Sequence, residues 1–527
     1  MSFEVLRNAF ISVAEEMGAA LVRTAYSPNI KERRDCSAAV FDIQGEMVSQ
    51  AEHIPVHLGA MPESVKAALK LYPTGEWNEG DIVILNDPFE GGTHLPDITF
   101  ISPVIYNDEV AGFVANRAHH ADIGGSAPGS MPGAASEIFQ EGLRIPPIKF
   151  VEEGNINQAL WRLLLANVRT PIEREGDLQA QLASNTTGVT RYKAILKKYS
   201  PSVIFTFLAD FHAYSRQRML QQLQQIPQGN FIFTDYMDND GISTIPVQLS
   251  VKVSTHHNHI IFDFTGSSPQ TQGNINAPFA VTLSSSYYVL RCVTDPSIPV
   301  NAGCYSPLEV IAPQGSVLNP IPPAAVSAGN VETSQRIVDV LFGALEQVIP
   351  DRIPAASQGT MNNLTIGGLI PRTMQSFTFY ETIGGGLGAR PSAHGIDGIH
   401  SHMTNTANTP IEALETAYPL RVLRYHFRSK SGGSGQYHGG MGIRRDIEIL
   451  SDTAVVSVQS ERRHFAPWGL QGGNPGKRGK NLHFHAGKWK EIPGKVTFPA
   501  QKGDIISIRT PGGGGFGNTK KSITQEE

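Results

Sequence analysis

Apolar positions at Leu6, Phe10, Val13, Met17 and Leu21 recur at intervals of three and four. This predicts an amphipathic helix through "FEVLRNAFISVAEEMGAALVRTAYS", packed along one face. The pattern then changes. "CSAAVFDIQGEMVSQ" reads as two strands around an Ile43-Gln44-Gly45-Glu46 turn, and "HLGAMPESVKAALKLYP" as a helix. "DIVILND" is a short apolar strand that delivers Asp87 at its end. "ITFISPVIYNDEVAGFVANRAHH" predicts a hairpin with its turn at Asn107-Asp108-Glu109 and His119 at the end of its second strand. Helical spacing dominates residues 155–225, strands follow over 229–265, and helices are predicted near 277–293 and 332–348. After residue 430 the chain reads as short strands such as "DIEILS", "AVVSVQS", "LHFHAGKW" and "DIISIRT". No fixed-period repeat is present. The expected fold is a multidomain α+β arrangement of mixed sheets, with a helical extension closing an N-terminal domain at 1–225. A mixed α/β domain at 226–429 and a β-rich C-terminal domain at 430–527 complete it.

Composition narrows the class. The 52 Gly and 35 Pro are interleaved with apolar strands rather than gathered in tracts, so they mark tight turns and irregular loops within a folded body. With 40% apolar and 17% charged residues, a 527-residue chain suits a large soluble enzyme or subunit of two to four domains. A formal charge of −5 gives no global basic field for nucleic acid. No secretory h-region and no apolar run approaching the ~18 residues of a spanning helix is expected to act here. Three cysteines without CxxC spacing point to a reduced, cytoplasmic location.

The chemistry concentrates in "NDPFEGGTHLPD…RAHHADIGG". His94 and Asp97 lie three apart, and His119 and His120 follow on the next strand's end. Two imidazoles with a carboxylate and no thiolate suit Zn²⁺, Mn²⁺ or Fe²⁺, with a position left open for water or substrate. The alternative is that these groups cap turns around the glycines. Adjacent residues of a strand point to opposite faces, so His119 is taken as the ligand. His120 and Asp122 remain neighbours of the site or substrate-facing groups. The 1–225 domain is thus expected to be the metal-site domain. "AEHIPVHLGAMP" sets His53 and His57 four apart, but Pro55 lies between them and no Glu follows His53, so a zincin helix is excluded. His57 is a loop residue that can reach the site.

Other motifs carry less. "GGSGQYHGGMGIRR" and "ERRHFAPWGLQGGNPGKRGK" combine glycines with Arg444, Arg445, Arg462, Arg463 and Lys477. They read either as an anion site or as turns whose arginines pair with Asp446 or Glu461. "PGGGGFGNTKK" satisfies GxGxxG literally, yet no βαβ unit can follow it. "GGGLGARPSAHG" places Pro391 where a helix should begin, and no GxxxxGK[ST] exists. An ATP pocket on this chain is therefore not a P-loop. Cys36 has no local His and reads as a small buried thiol, and His400, His402, Asn405 and Asn408 form a polar loop or a hydrogen-bonded turn.

"NDPFEGGTHLPDITFISPV", "GFVANRAHHADIGGSAPGSMPGAASEIFQEGLRIPP", "NTANTPIEALE", "ERRHFAPWGLQGG" and "PGGGGFG" together resemble the hydantoinase B family over nearly the whole chain. That family includes N-methylhydantoinase B subunits, the C-terminal half of ATP-dependent 5-oxoprolinases and related subunits of acetone and acetophenone carboxylases. The resemblance implies a hydantoinase A-type partner that carries ATP and phosphorylates the substrate, and hence a hetero-oligomer. It places the metal on His94, Asp97 and His119. A small cyclic amide is the implied substrate, and neither nucleic acid nor a membrane is an expected partner. His120, Asp122 and Glu141 are then candidate catalytic groups, with Glu137 a further proton relay. Asp87, His57 and Arg144 are candidate substrate contacts, Arg144 for a carboxylate. Ion pairs at a helix end are the alternative for Glu137, Glu141 and Arg144. Hydrolysis of 5-oxoproline or a hydantoin is preferred over ketone carboxylation or a non-catalytic scaffold.

Overall fold

A computed structural model describes residues 3–51, 54–57 and 59–518; His53 lies outside them. Phe3–Thr24 is helical and buries Leu6, Phe10, Val13, Met17 and Leu21, the stripe that the spacing predicts. It packs against helix Pro171–Tyr199, where Gly188 leaves room for Met17. Beneath both lies a seven-stranded sheet built from β1 (Cys36–Phe41), β2 (Met47–Gln50), β3 (Ile82–Leu85), β4 (Asp97–Tyr106), β5 (Glu109–His119), β6 (Ile148–Glu152) and β7 (Asn155–Ile156). Their order is β2-β1-β5-β4-β3-β6-β7, with antiparallel pairing throughout.

The β4–β5 hairpin is the longest pairing in this sheet and it sets the site. Asn107 and Asp108 form its tip with φ of 54° and 64°, the left-handed pair that matches the strands' twist. Both strands are buried on both faces along most of their length. The pairing carries one bulge, between Val104 and Ile105, which shifts the register by one residue toward the open end. In that register Asp97 stands directly opposite His119 at the open end.

A second sheet of four strands, between Gly229 and Ile311, carries helix Ser334–Glu346, against which helix Phe279–Cys292 packs. Two further sheets form a sandwich. One contains Asn363–Leu369, Ser376–Glu381, Thr453–Gln459 and Lys495–Gln501. The other contains Leu420–Phe427, Ile443–Ile449, Lys480–His485, Lys488–Ile492 and Ile505–Arg509. Leu364, Ile366 and Phe379 of the first share a core with Ile447, Ile506 and Ile508 of the second. Both sheets therefore cross residue 430, the expected start of the C-terminal unit, and hydrogen bonds such as Thr365↔Ser457 join the two sides. The architecture is α+β with mostly antiparallel sheets, as expected. Among the described residues no helix is long and apolar enough to cross a membrane.

The glycine motifs build a backbone bundle. Residues 511–516 run through the interior of the C-terminal region and bond in turn to segments far apart in sequence. Gly386 N–H donates to the Pro511 carbonyl, Gly433 N–H to Gly513, Gly514 N–H to Ala356 and Gly515 N–H to Asn474, at 2.8–3.0 Å. Gly512 through Gly515 do not require positive φ. They are glycines because carbonyl oxygens of Ser431, Leu387, Trp468 and Ser434 lie 2.0–2.3 Å from where a Cβ would stand. "PGGGGFG" is thus a packing element, and the arginines of the neighbouring motifs are paired. Arg444 meets Asp446 at 2.7 Å, Arg445 meets Glu381 at 2.8 Å, and Arg462 meets Asp235 at 3.0 Å.

Gly513→Ala is expected to cost more than about 3 kcal/mol, or to prevent folding, because the opposing atoms are backbone and cannot turn aside. Gly75→Ala, at a site with nothing within 4 Å, is expected to leave the urea midpoint unchanged. Equal midpoints for the two variants would refute this account of the bundle.

Candidate metal centre

Three side chains converge at the open end of the hairpin. Asp97 Oδ1 lies 3.0 Å from His119 Nδ1 and 3.1 Å from His94 Nε2, and the two nitrogens are 3.1 Å apart. Ligands around one ion bound at about 2.1 Å stand about 3.0 Å apart at right angles and about 3.4 Å apart in a tetrahedron. The trio therefore fits a single divalent cation. Without a cation, two imidazole nitrogens crowd the same carboxylate oxygen. His119 Nε2 and His94 Nδ1 meanwhile remain buried with no hydrogen-bond partner.

Local structure explains the convergence. Register supplies Asp97 and His119, and the tight turn before β4, closed by Asp97 N–H to the His94 carbonyl at 3.0 Å, brings in His94. The other oxygen of Asp97 is occupied by protein. Thr93 Oγ1 donates to Oδ2 at 2.6 Å, and His57 Nε2 lies 3.5 Å from it. His57 is oriented in turn by Ser37 Oγ at 2.8 Å from its Nδ1. Burial would raise the Asp97 carboxyl, but the His94, His119 and His57 imidazoles outweigh it and hold this acid well below the ordinary carboxylate range. Burial lowers the His119 imidazole despite Asp97 beside it, which favours the neutral ring a metal requires.

The trio opens into a chamber of about 20 Å³, the scale of a single ion or water. Asp35, Asn330, Tyr380, Met403 and Thr406 supply its other walls. Tyr380 stacks on the His119 ring, with centroids 4.6 Å apart and planes 20° apart, and Arg33 lies over Tyr380 at 4.8 Å. Asn330 Oδ1 is buried without a partner. None of these wall residues is marked by the motifs near residue 94. They arrive from 35, 330, 380 and 403–406 by tertiary packing; Asp35 directly precedes β1, and its carbonyl accepts the His119 N–H at 3.0 Å.

The other expected site residues are placed as follows. His57 lines the chamber beside Asp97. His120 points to the opposite side of the sheet, as strand alternation requires, and bonds Gln181 Oε1 at 2.9 Å; burial lowers it to about 4. Asp122 accepts from Gly124 N–H, Gly129 N–H and Arg169 N–H at 3.0 Å and from the Arg169 guanidinium at 2.9 Å, which shapes the following loop. Neither lines the chamber. Glu141 lies behind it and accepts the Val326 and Ser327 N–H groups at 2.9–3.1 Å. Burial pushes its carboxyl up to about 7 against those donors. Asp87 and Arg144 form an ion pair at 2.9 Å beside a separate cavity of about 430 Å³, which also carries Glu63 and Glu90. The Arg144 guanidinium is thus already matched by a carboxylate. Glu137 precedes the short turn Ile138–Gln140, with no resolved role in the chamber.

Fold and chamber together define an α+β protein with a buried His/Asp candidate metal centre. The chain belongs to the Hydantoinase B/oxoprolinase family, whose sequence model matches residues 1–519. It is 44% identical to an uncharacterized protein of Methanocaldococcus jannaschii, over 98% of this chain and 90% of that one. It is 39% identical to the 5-oxoprolinase of Dictyostelium discoideum over 99% of its length, but spans only 40% of that relative. A Pseudomonas sp. protein provisionally named as the B subunit of a D-/L-hydantoinase is 32% identical, with 98% of this chain and 90% of that protein aligned. Among solved structures, the ATP-dependent caprolactamase of Pseudomonas jessenii superposes with a TM-score of 0.91 at 27% identity, covering 98% of this chain and 90% of that chain. Nucleotide-free acetone carboxylase shares the fold, with a TM-score of 0.89 at 18% identity, covering 98% of this chain and 75% of that chain.

Two outcomes are expected. His57→Ala removes a group that orients Asp97 and weakens Zn²⁺ or Mn²⁺ binding by about 10–100-fold in a competition titration, a loss typical of outer partners of a metal ligand. Unchanged affinity would mean that His57 does not support the site. For Glu141 the sign follows from its raised carboxyl. The folded chain holds this proton more tightly than the unfolded one, so stability falls as pH rises from about 4.5 to about 7. The contribution is on the order of 3 kcal/mol. Glu141→Gln should flatten that part of the stability–pH curve, measured by urea unfolding at several pH values. An unaltered slope would show that Glu141 ionises as an ordinary carboxyl.

Proposed function

We propose that this chain is the B-type subunit of an ATP-dependent cyclic-amide hydrolase of the 5-oxoprolinase or N-methylhydantoinase type. It would hydrolyse a lactam or hydantoin that an A-type partner has activated by phosphorylation. The observation that carries this reading is the closed His94–Asp97–His119 chamber in a member of this family. Relatives named as 5-oxoprolinase and as a hydantoinase component, together with the caprolactamase likeness, support the substrate class. The Pseudomonas sp. relative is named as one component of a multi-subunit hydantoinase, and this chain has no P-loop; both support ATP on a partner.

In this reading His94, Asp97 and His119 hold a divalent cation of the Zn, Mn or Fe class, which when bound polarises the carbonyl oxygen of the activated ring. Asp97 stays ionised and is held in place by Thr93 and His57. Tyr380 fixes the plane of His119, and the unpartnered Asn330 amide offers a hydrogen bond to a ring substituent. Glu141 anchors the 326–327 turn that leads to Asn330, and with its carboxyl near 7 it can hold or release a proton behind His94. His120 and Asp122 support the frame of the hairpin and the loop after it. The chamber is too small for a ring, so substrate entry requires its walls to yield. Excluding water there protects an activated intermediate.

The test is reconstitution with an A-type partner. ATP-linked ring opening of 5-oxoproline or a hydantoin is expected, and His94→Ala/Asp97→Ala should abolish it by at least about 10³-fold while leaving the chain folded. Bicarbonate-dependent product from a ketone would assign the chain to carboxylation instead. Full activity in the double variant would reduce it to a scaffold.

A further inference from the structure

Outside the chamber, one other group of metal-capable side chains comes together among the described residues. His483 and His485 lie two apart on the strand Lys480–His485, so both imidazoles project from the same face. Asp504 immediately precedes the strand Ile505–Arg509, which pairs with that strand through Phe484↔Ile505. Its carboxylate thereby arrives beneath the two rings. His483 Nε2 lies 3.0 Å from Asp504 Oδ2, and His485 Nδ1 lies 2.9 Å from Oδ1 and 3.2 Å from Oδ2. The three ligand atoms all fall within 4.8 Å of one another.

The carboxylate is fixed before any ligand arrives. Asp504 is 3% exposed and accepts the Gln501 N–H at 3.0 Å, so its orientation belongs to the turn. His483 is held by Phe498, with ring centroids 4.8 Å apart. His485, in contrast, is half exposed, and both histidines border an open cavity of about 740 Å³ between the edges of the two sandwich sheets. Lys490 and Lys488 stand across the strand pair from His483 and His485. Both are exposed at the rim, where solvent screens their charge. Glu491 is engaged with Lys480 at 2.7 Å. The His/Asp set of the chamber thus recurs here on rigid strands, but with one side open to solvent.

We propose that His483, His485 and Asp504 form a second divalent-cation site, for a borderline ion of the Zn²⁺ class, that is independent of the buried centre and open to the adjoining cavity. Two neutral imidazoles and a carboxylate suit such an ion, and the open side leaves positions for water or an added donor. Binding would replace the hydrogen bonds that the two imidazoles make to Asp504.

Co²⁺ titration of the chelator-stripped full chain, followed by visible d–d absorption and equilibrium dialysis, tests this. The parent should bind two equivalents, and the His94→Ala/Asp97→Ala variant should keep one. His483→Ala/His485→Ala should remove one equivalent from the parent, and His485→Ala alone, at a half-exposed position, should weaken that equivalent by at least about tenfold. If the variant at 94 and 97 does not fold, the comparison of the parent with the 483/485 variants still decides. Equal stoichiometry and equal affinity in parent and 483/485 variants would overturn the second site, whatever the outcome at the first.

Discussion

The structure turns on one carboxylate taken out of water. Asp97 is 1% exposed, and an ion in that position is tolerable only if charge and hydrogen bonds surround it. Each neighbour meets part of that requirement. His94 and His119 approach one oxygen, Thr93 and His57 hold the other, and Arg117 stands two residues before His119 on the same face of β5. Arg117 is in turn tied to Thr99 and Ser64 at 2.8 and 2.7 Å. The ring of partners is far tighter than stability alone would select, since a buried ion pair is often no better than an apolar replacement. The two imidazole nitrogens and the carboxylate oxygen gathered there form a candidate site for a divalent cation.

Much of this was legible before any fold was known. The turn at Asn107-Asp108 and the apolar runs around it define the hairpin, but it is the bulge between Val104 and Ile105 that opposes Asp97 to His119 rather than to Ala118. The period of two also separates His119 from His120, which faces Gln181 on the other side. The walls of the chamber were not legible. Tyr380 sits on a strand whose partner, Asn363–Leu369, carries Gly367 and Gly368 and so gives no β signal, and Asn330 lies more than 200 residues from the nearest ligand. The Asp87–Arg144 pair shows a different failure. Each residue was a reasonable substrate contact alone, but the loop that follows Glu141 brings them together as an ion pair.

The loop from Ala121 to Pro147 also explains how distant parts of the chain share one site. Gly129 and Pro128 press against Thr365 and Gly367, Ser457 donates to the Met131 carbonyl at 2.7 Å, and Gly133 N–H reaches Thr497 Oγ1 at 2.8 Å. The N-terminal sheet and the C-terminal sandwich are therefore coupled by a segment that begins one residue after His120. Glu141 closes the same loop onto residues 326 and 327. Motifs that look separate in the sequence are parts of one wall.

The glycine bundle has a consequence for how the molecule is made. Residues 511–516 supply hydrogen bonds to strands and turns beginning at Ala356, and among the described residues no other segment fills that space. The earlier segments must therefore wait, their backbone groups provisionally hydrated, until this run has left the ribosome. For the roughly 160 residues between them, at 5–20 residues per second, the interval is about 8–30 s. The hairpin with its candidate metal ligands can form early, whereas the sandwich closes only once residues 511–516 are available to it.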